Sequence, residues 1–162
     1  MTVDEIRQRL GLIPHPEGGH YIQTYKSAEH VSLRRYSGPR STGTAIYYLL
    51  EPGTFSELHR LQSDEIFHFY LGDPIEMLQL WPDGSSNIVR IGADLDAGQS
   101  PQVIVPKHVW QGSRLVAGGR FALLGCTVSP GFEFEDYESG VRDRLVQQYP
   151  SQDELITALT RR

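Results

Sequence analysis

Cysteine is almost absent from this chain of 162 residues: Cys126 is the only one. A lone cysteine excludes an internal disulfide. Its neighbours Leu123, Leu124, Gly125 and Val128 mark it as a small buried hydrophobe rather than a catalytic thiol. Long apolar runs are missing too. No stretch approaches the ~18 residues that a membrane helix needs, and the longest are strand-sized pieces such as Ala45 to Leu50. Positive charge is in deficit, with Lys+Arg 15 against Asp+Glu 20 and a net charge of −5. No basic run stands out that could neutralise a nucleic-acid backbone. The densest basic spots, Arg34 and Arg35 with Arg40 and the terminal pair Arg161 and Arg162, read as solvated surface that leaves room only for a small phosphorylated ligand. The opening Met1-Thr2-Val3-Asp4-Glu5-Ile6 has no basic segment followed by an apolar one. A cytoplasmic protein with neither nucleic acid nor membrane as partner is expected.

What the chain does have is turn chemistry. Sixteen glycines and ten prolines punctuate short segments rich in β-branched and aromatic residues. That is the sequence form of an all-β sandwich or barrel, and the length suits one domain over residues 1–162. Strands are expected at Tyr21–Ser27, Ala45–Leu50, Glu65–Leu71, Glu76–Trp81, Asn87–Ile91, Gln102–Pro106, Trp110–Leu115 and Phe121–Val128, which places the barrel at about 20–130. Pro82-Asp83-Gly84-Ser85 and Gly118-Gly119 supply turns between them. Short helices are expected at the two ends. Residues 2–10 carry a capping box of Thr2 and Glu5 before Gly11, and residues 152–161 follow Pro150 with Ser151 as N-cap and Glu154 placed for a second box.

The segment Glu65-Ile66-Phe67-His68-Phe69-Tyr70-Leu71 alternates, so Glu65, Phe67, Phe69 and Leu71 share one face and His68 takes the other. A carboxylate on an apolar face is costly unless a cation, a donor or a proton compensates. That placement implies a partner inside the barrel, and His59, at the end of the preceding strand, is the nearest in sequence.

Gly53 to Gly72 reads Gly-x5-His-x-Leu-x3-Glu-x6-Gly, which resembles the first metal-binding motif of the cupin superfamily with Leu61 where the second histidine belongs. The second motif is altered: seven residues separate Gly98 from Pro106 instead of five, His108 replaces a glycine, and Gln111 stands at the ligand-histidine position. A tighter resemblance runs from about Leu10 to Leu159. Pro14-His15-Pro16-Glu17-Gly18-Gly19, Ser63-Asp64-Glu65-Ile66, Val109-Trp110-Gln111 and Val128-Ser129-Pro130-Gly131-Phe132 are similar to a family of small single-domain cupins without an assigned function. The resemblance implies a cupin jelly roll (double-stranded β-helix) paired as a homodimer, a fold that by itself names no activity.

Three readings of the site follow. In the first, the barrel binds a small polar molecule, a sugar or nucleotide derivative, near His59, Glu65 and Gln111. Resemblance to the dTDP-sugar epimerases makes His59 a base in a metal-free isomerisation or epimerisation, with Glu65 to orient it and an acid to be found among Tyr21, Tyr25, Tyr47, Tyr48 and Tyr137. In the second, the same pocket recognises its ligand without transforming it. In the third, His59, Glu65 and Gln111 hold a divalent metal ion, although Zn, Ni and Fe favour imidazole and only one is offered. His15 and Glu17 sit on a Pro-flanked Gly-Gly loop that serves equally as a structural turn or as a ligand-binding loop at the barrel mouth.

Overall fold

The computed structural model describes residues 1–161; Arg162, half of the terminal basic pair, lies outside the described residues. In chain order the elements are α1 (Val3–Leu10), β1 (Ile13–Pro14), β2 (His20–Lys26), β3 (His30–Val31), β4 (Arg40–Ser41), β5 (Thr44–Leu50), β6 (Phe55–Arg60) and β7 (Asp64–Gly72). They continue with β8 (Ile75–Leu80), β9 (Ser86–Ile91), β10 (Gln102–Val105), β11 (Trp110–Leu115), β12 (Ala122–Ser129), β13 (Glu138–Ser139), α2 (Arg142–Gln148) and α3 (Asp153–Ala158). A six-stranded sheet ordered β1-β2-β5-β12-β7-β10 faces a five-stranded sheet ordered β13-β6-β11-β8-β9, and every strand pair in both is antiparallel. This is the expected all-β jelly roll.

Period-two alternation decides what each strand buries. On the second sheet, Leu58, Leu78 and Trp110 point outward while their neighbours His59, Gln79 and Gln111 point in, and register lines those three polar residues up across β6, β11 and β8. The outward row is not left wet. Leu145 of α2, Ile156 of α3, Tyr149 and Leu159 pack over Leu58, Leu78, Leu80 and Trp110. Full burial of such a side chain contributes roughly 1.5–3 kcal/mol, so the C-terminal helices act as a second wall for this sheet. On the first sheet, α1 does the same job, with Ile6 against Leu49, Phe121 and Leu123. The barrel interior is filled by Tyr48, Leu50, Phe67, Met77, Val105 and Leu124 among others.

Several expectations are revised. Leu71 does not continue the inner face of β7 but is exposed, because the pairing of β7 with β12 shifts register between Leu123 and Leu124 and turns Leu71 outward. The Thr2–Glu5 capping box is present, whereas the C-terminal one is not. Pro150 starts a 3₁₀ turn that takes in Ser151, leaving Gln152 as the N-cap of α3 with no side-chain cap, and α3 ends at Ala158. Helix α2 is an addition to the expected elements, anchored by the buried Leu145. No helix among the described residues is long and apolar enough to cross a membrane.

Candidate functional site

Between the sheets lies a cavity of about 210 Å³. His15, Glu17, His59 and Glu65 all line it, so four of the five expected site residues meet in one place. They arrive from different elements. His59 comes from β6 of one sheet, Glu65 from β7 of the other, and His15 and Glu17 from the loop between β1 and β2. That loop is a tight turn: His15 N–H donates to the Gly19 carbonyl at 2.9 Å and Gly18 N–H to the His15 carbonyl at 3.0 Å. Gly18 and Gly19 have φ of 111° and 72°. A Cβ on Gly18 would stand 1.9 Å from the Phe55 carbonyl oxygen, so only glycine lets the loop reach far enough to lower Glu17 onto His59.

The protonation pattern at His59 follows from its partners. Nδ1 lies 2.7 Å from the main-chain carbonyl of Glu57, which can only accept, so Nδ1 carries the proton. Nε2 lies 3.1 Å from Glu17 Oε2. Burial lowers the His59 pKa, the Glu65 carboxylate partly offsetting it, while burial raises that of Glu17 to about 8 with the Glu57 carboxylate adding to the effect. Near neutral pH a protonated Glu17 therefore stands 3.1 Å from the free Nε2 of a neutral His59. His15 is a separate case. Its Nδ1 accepts from Glu17 N–H at 3.0 Å, so Nε2 carries its ring proton, and burial drives its pKa down to about 3.

Glu65 couples to His59 through charge, each favouring the ionised form of the other, but no hydrogen bond joins them; the Glu57 carbonyl and the Glu17 carboxyl are the groups against the two ring nitrogens. Glu65 takes a hydrogen bond from the Gln111 amide, and burial raises its pKa to about 7. Gln111 itself does not reach the main cavity but stands behind Glu65, with its buried Oε1 unpartnered. Of the five tyrosines, Tyr21 alone lines the cavity, in edge contact with His15 at 4.4 Å between ring centres. Tyr137 stacks on His59 at 4.7 Å but commits its hydroxyl to the Glu57 carboxylate at 2.8 Å. Tyr48 donates to the Gly18 carbonyl at 2.6 Å, Tyr25 is exposed, and Tyr47 meets Tyr70 in a separate shallow surface pocket. His68 hydrogen-bonds Thr127 outside the cavity, and Cys126 is buried as expected but on the cavity wall.

A divalent ion does not fit this donor set. Both nitrogens of His59 are engaged, His15 accepts at Nδ1 and carries its proton at Nε2, Leu61 presents hydrocarbon to the cavity, and Gln111 turns its amide nitrogen toward Glu65. Among the described residues no group of three His, Cys, Asp or Glu side chains is arranged as a metal site.

Comparison with known proteins bears on this architecture. A family model described as Cupin superfamily (DUF985) matches residues 4–140. The chain belongs to this cupin family. A hypothetical protein from Leishmania major superposes on the cupin with TM-score 0.93, at 32% identity and over 100% of both chains. Protein SO0799 from Shewanella oneidensis gives TM-score 0.89 at 35% identity, covering 99% of this cupin and 98% of that chain. The uncharacterized protein YML079W of Saccharomyces cerevisiae is 30% identical over 78% of this cupin and 69% of its own length. The oxalate decarboxylase of Bacillus subtilis shares the fold alone, with TM-score 0.55 at 15% identity over 90% of this cupin and 36% of that chain. His108, at the altered glycine position of the second motif, has a left-handed φ of 70°.

Some members of the site were not readable in advance. The Glu57 carbonyl is a main-chain group and left no sequence signal. Tyr137 is 78 residues from His59 and Glu17 is 42 residues away, so neither contact is local.

Proposed function

We propose that this cupin binds a small polar molecule, of the size of a single sugar unit, and moves a proton on it without a metal, as an isomerase or epimerase does. The observation that carries the reading is the arrangement of His59, fixed at Nδ1 by a carbonyl and with Nε2 3.1 Å from Glu17 Oε2, on the wall of a small cavity. When such a pair takes up or gives back one proton, the unit of charge that results is spread over two groups, which suits a site where a localised charge is expensive. Glu65 faces the same space from the opposite sheet with a pKa of about 7, poised to give or take a proton near neutrality. Two proton-handling groups on opposite walls fit a reaction in which a C–H bond next to a carbonyl breaks on one side and forms on the other. The electron pair rests meanwhile on the carbonyl oxygen, near donors such as Tyr21 and the Nε2–H of His15. Clefts for drug-sized ligands run to roughly 300–1,000 Å³, so a cavity of about 210 Å³ favours a sugar-sized head over a whole nucleotide.

The test is hydrogen–deuterium exchange, followed by NMR in D2O, at the carbon next to the carbonyl of a panel of small aldoses, ketoses and keto acids. Wild-type protein is expected to label at least one compound, and His59→Ala and Glu65→Gln to slow that labelling at least a hundredfold. Undiminished labelling by His59→Ala would refute the assignment. Tight binding with no labelling would identify a ligand-binding cupin that does not transform what it holds.

A further inference from the structure

The wall of the cavity changes character at its mouth. Inside are two carboxyl groups and two imidazoles, whereas at the rim Lys26 of β2 meets Glu133 at 2.9 Å between Nζ and Oε1. Lys26 is the one lysine or arginine among the described residues that line the cavity. Both partners of this ion pair are about half exposed, at 47% and 42%, so neither is locked in place by burial. The backbone beneath Glu133 is firmly held. Phe132 N–H donates to Thr44 Oγ1 at 3.0 Å, Gly131 N–H to the Ser41 carbonyl at 2.7 Å, and the buried Arg40 binds the Gly131 carbonyl and Asp136. Glu133 also stands between Phe132 and Phe134, whose rings make an edge contact at 5.0 Å and add apolar surface to the rim. The mouth thus carries a half-exposed side-chain ion pair on a hydrogen-bonded, partly apolar rim.

We infer that the ligand of this cavity is bipartite, an uncharged hydroxyl- or carbonyl-bearing head with a carboxylate or phosphate at its other end, and that Lys26 receives that anion by releasing Glu133. The inference rests on the proton-transfer reading and names its substrate class. Charge decides the orientation. An anion placed inside would face Glu17 and Glu65 with no cation to balance it, since burial keeps both imidazoles neutral. At the rim the same anion meets an ammonium group and remains partly hydrated, where a charge-assisted hydrogen bond is available at small desolvation cost. A cationic ligand would find only Glu65 to pair with inside, because Glu17 holds its proton at neutral pH, and no free carboxylate at the rim while Glu133 is bound to Lys26.

Titration calorimetry with two matched pairs, D-ribose against D-ribose 5-phosphate and lactamide against lactate, tests this and separates phosphate from carboxylate. The anionic member of at least one pair is expected to bind wild-type protein about tenfold more tightly than its neutral partner. Lys26→Met should cut that preference below twofold, and Glu133→Gln, which frees Lys26, should strengthen binding of the anionic member about threefold. A preference that survives Lys26→Met, or equal binding of both members of each pair, overturns the inference. If neutral members bind and lose affinity in His59→Ala, the proton-transfer cavity stands while the Lys26 subsite falls. If no member of either pair binds, both fall.

Discussion

Replacing Glu17 by Gln should make the protein more stable near neutral pH, although it alters a buried residue in contact with His59. Folding lets Glu17 keep a proton that it loses in the unfolded chain. Its pKa is about 8 in the folded state, against an ordinary value of 4.5. Between those values the unfolded chain loses this proton and the folded chain does not, so the folded state binds more protons and stability falls as pH rises. At pH 7 the loss spans 7 − 4.5 = 2.5 pH units, which at 1.36 kcal/mol per unit is about 3 kcal/mol. An amide cannot ionise, and its NH2 can donate to His59 Nε2 as the protonated acid can. Glu17→Gln should therefore match wild type near pH 4.5, exceed it by about 3 kcal/mol at pH 7, and gain nothing further above pH 8. Urea denaturation of both proteins from pH 4.5 to 8.5 measures the difference directly, and the histidine contributions, which oppose folding below pH 6.5, largely cancel between them. The reasoning is refuted if Glu17→Gln is the less stable protein at pH 7, because that would mean a carboxylate paired with an imidazolium.

Three other changes probe the same region. Gln111→Leu removes the donor that holds the Glu65 pKa down; it should cost about 1–3 kcal/mol, and the cost should grow from pH 6 to pH 9 in denaturation experiments as Glu65 is pushed further above its ordinary range. Gly18→Ala forces a Cβ against the Phe55 carbonyl at a left-handed φ and should destabilise by about 3 kcal/mol or more, seen as a lowered urea midpoint. Leu61→His adds a second imidazole beside His59 and should raise zinc content from below about a tenth of an equivalent to near one equivalent by elemental analysis; an unchanged content would show that Leu61 is not what denies the ion its site.

The fold was largely legible because alternation and turn residues are local. All eight expected strands sit within one residue of their observed bounds at both ends. Strand β6 carried no bounds in advance, since Leu58 and His59 are both buried and the register of β6 against β11 shifts between Gln111 and Ser113. Helix α2 was invisible for a different reason: Arg142-Asp143-Arg144-Leu145-Val146-Gln147-Gln148 is mostly polar, has no capping side chain, and forms because Leu145 docks on the back of the second sheet. At the site, motif spacing located His59 and Glu65, and the Gly-Gly loop located His15 and Glu17. What spacing could not give was pairing. Glu17 rather than Glu65 meets His59 because the backbone can approach Phe55 only at Gly18, a fact of three-dimensional packing.

The hydrogen bond from His59 Nδ1 to the Glu57 carbonyl has an implication for how this site can change over time. When a side chain selects the tautomer of a histidine, one substitution can abolish the selection. Here the acceptor belongs to the peptide bond, and every residue that could replace Glu57 would bring the same oxygen. Glu17, Glu65, Tyr21 and the rim can each be exchanged without turning the His59 ring proton to the other nitrogen. The part of the site that sets which nitrogen faces the cavity is written in the path of the backbone, so the surrounding side chains are free to be retuned to different ligands.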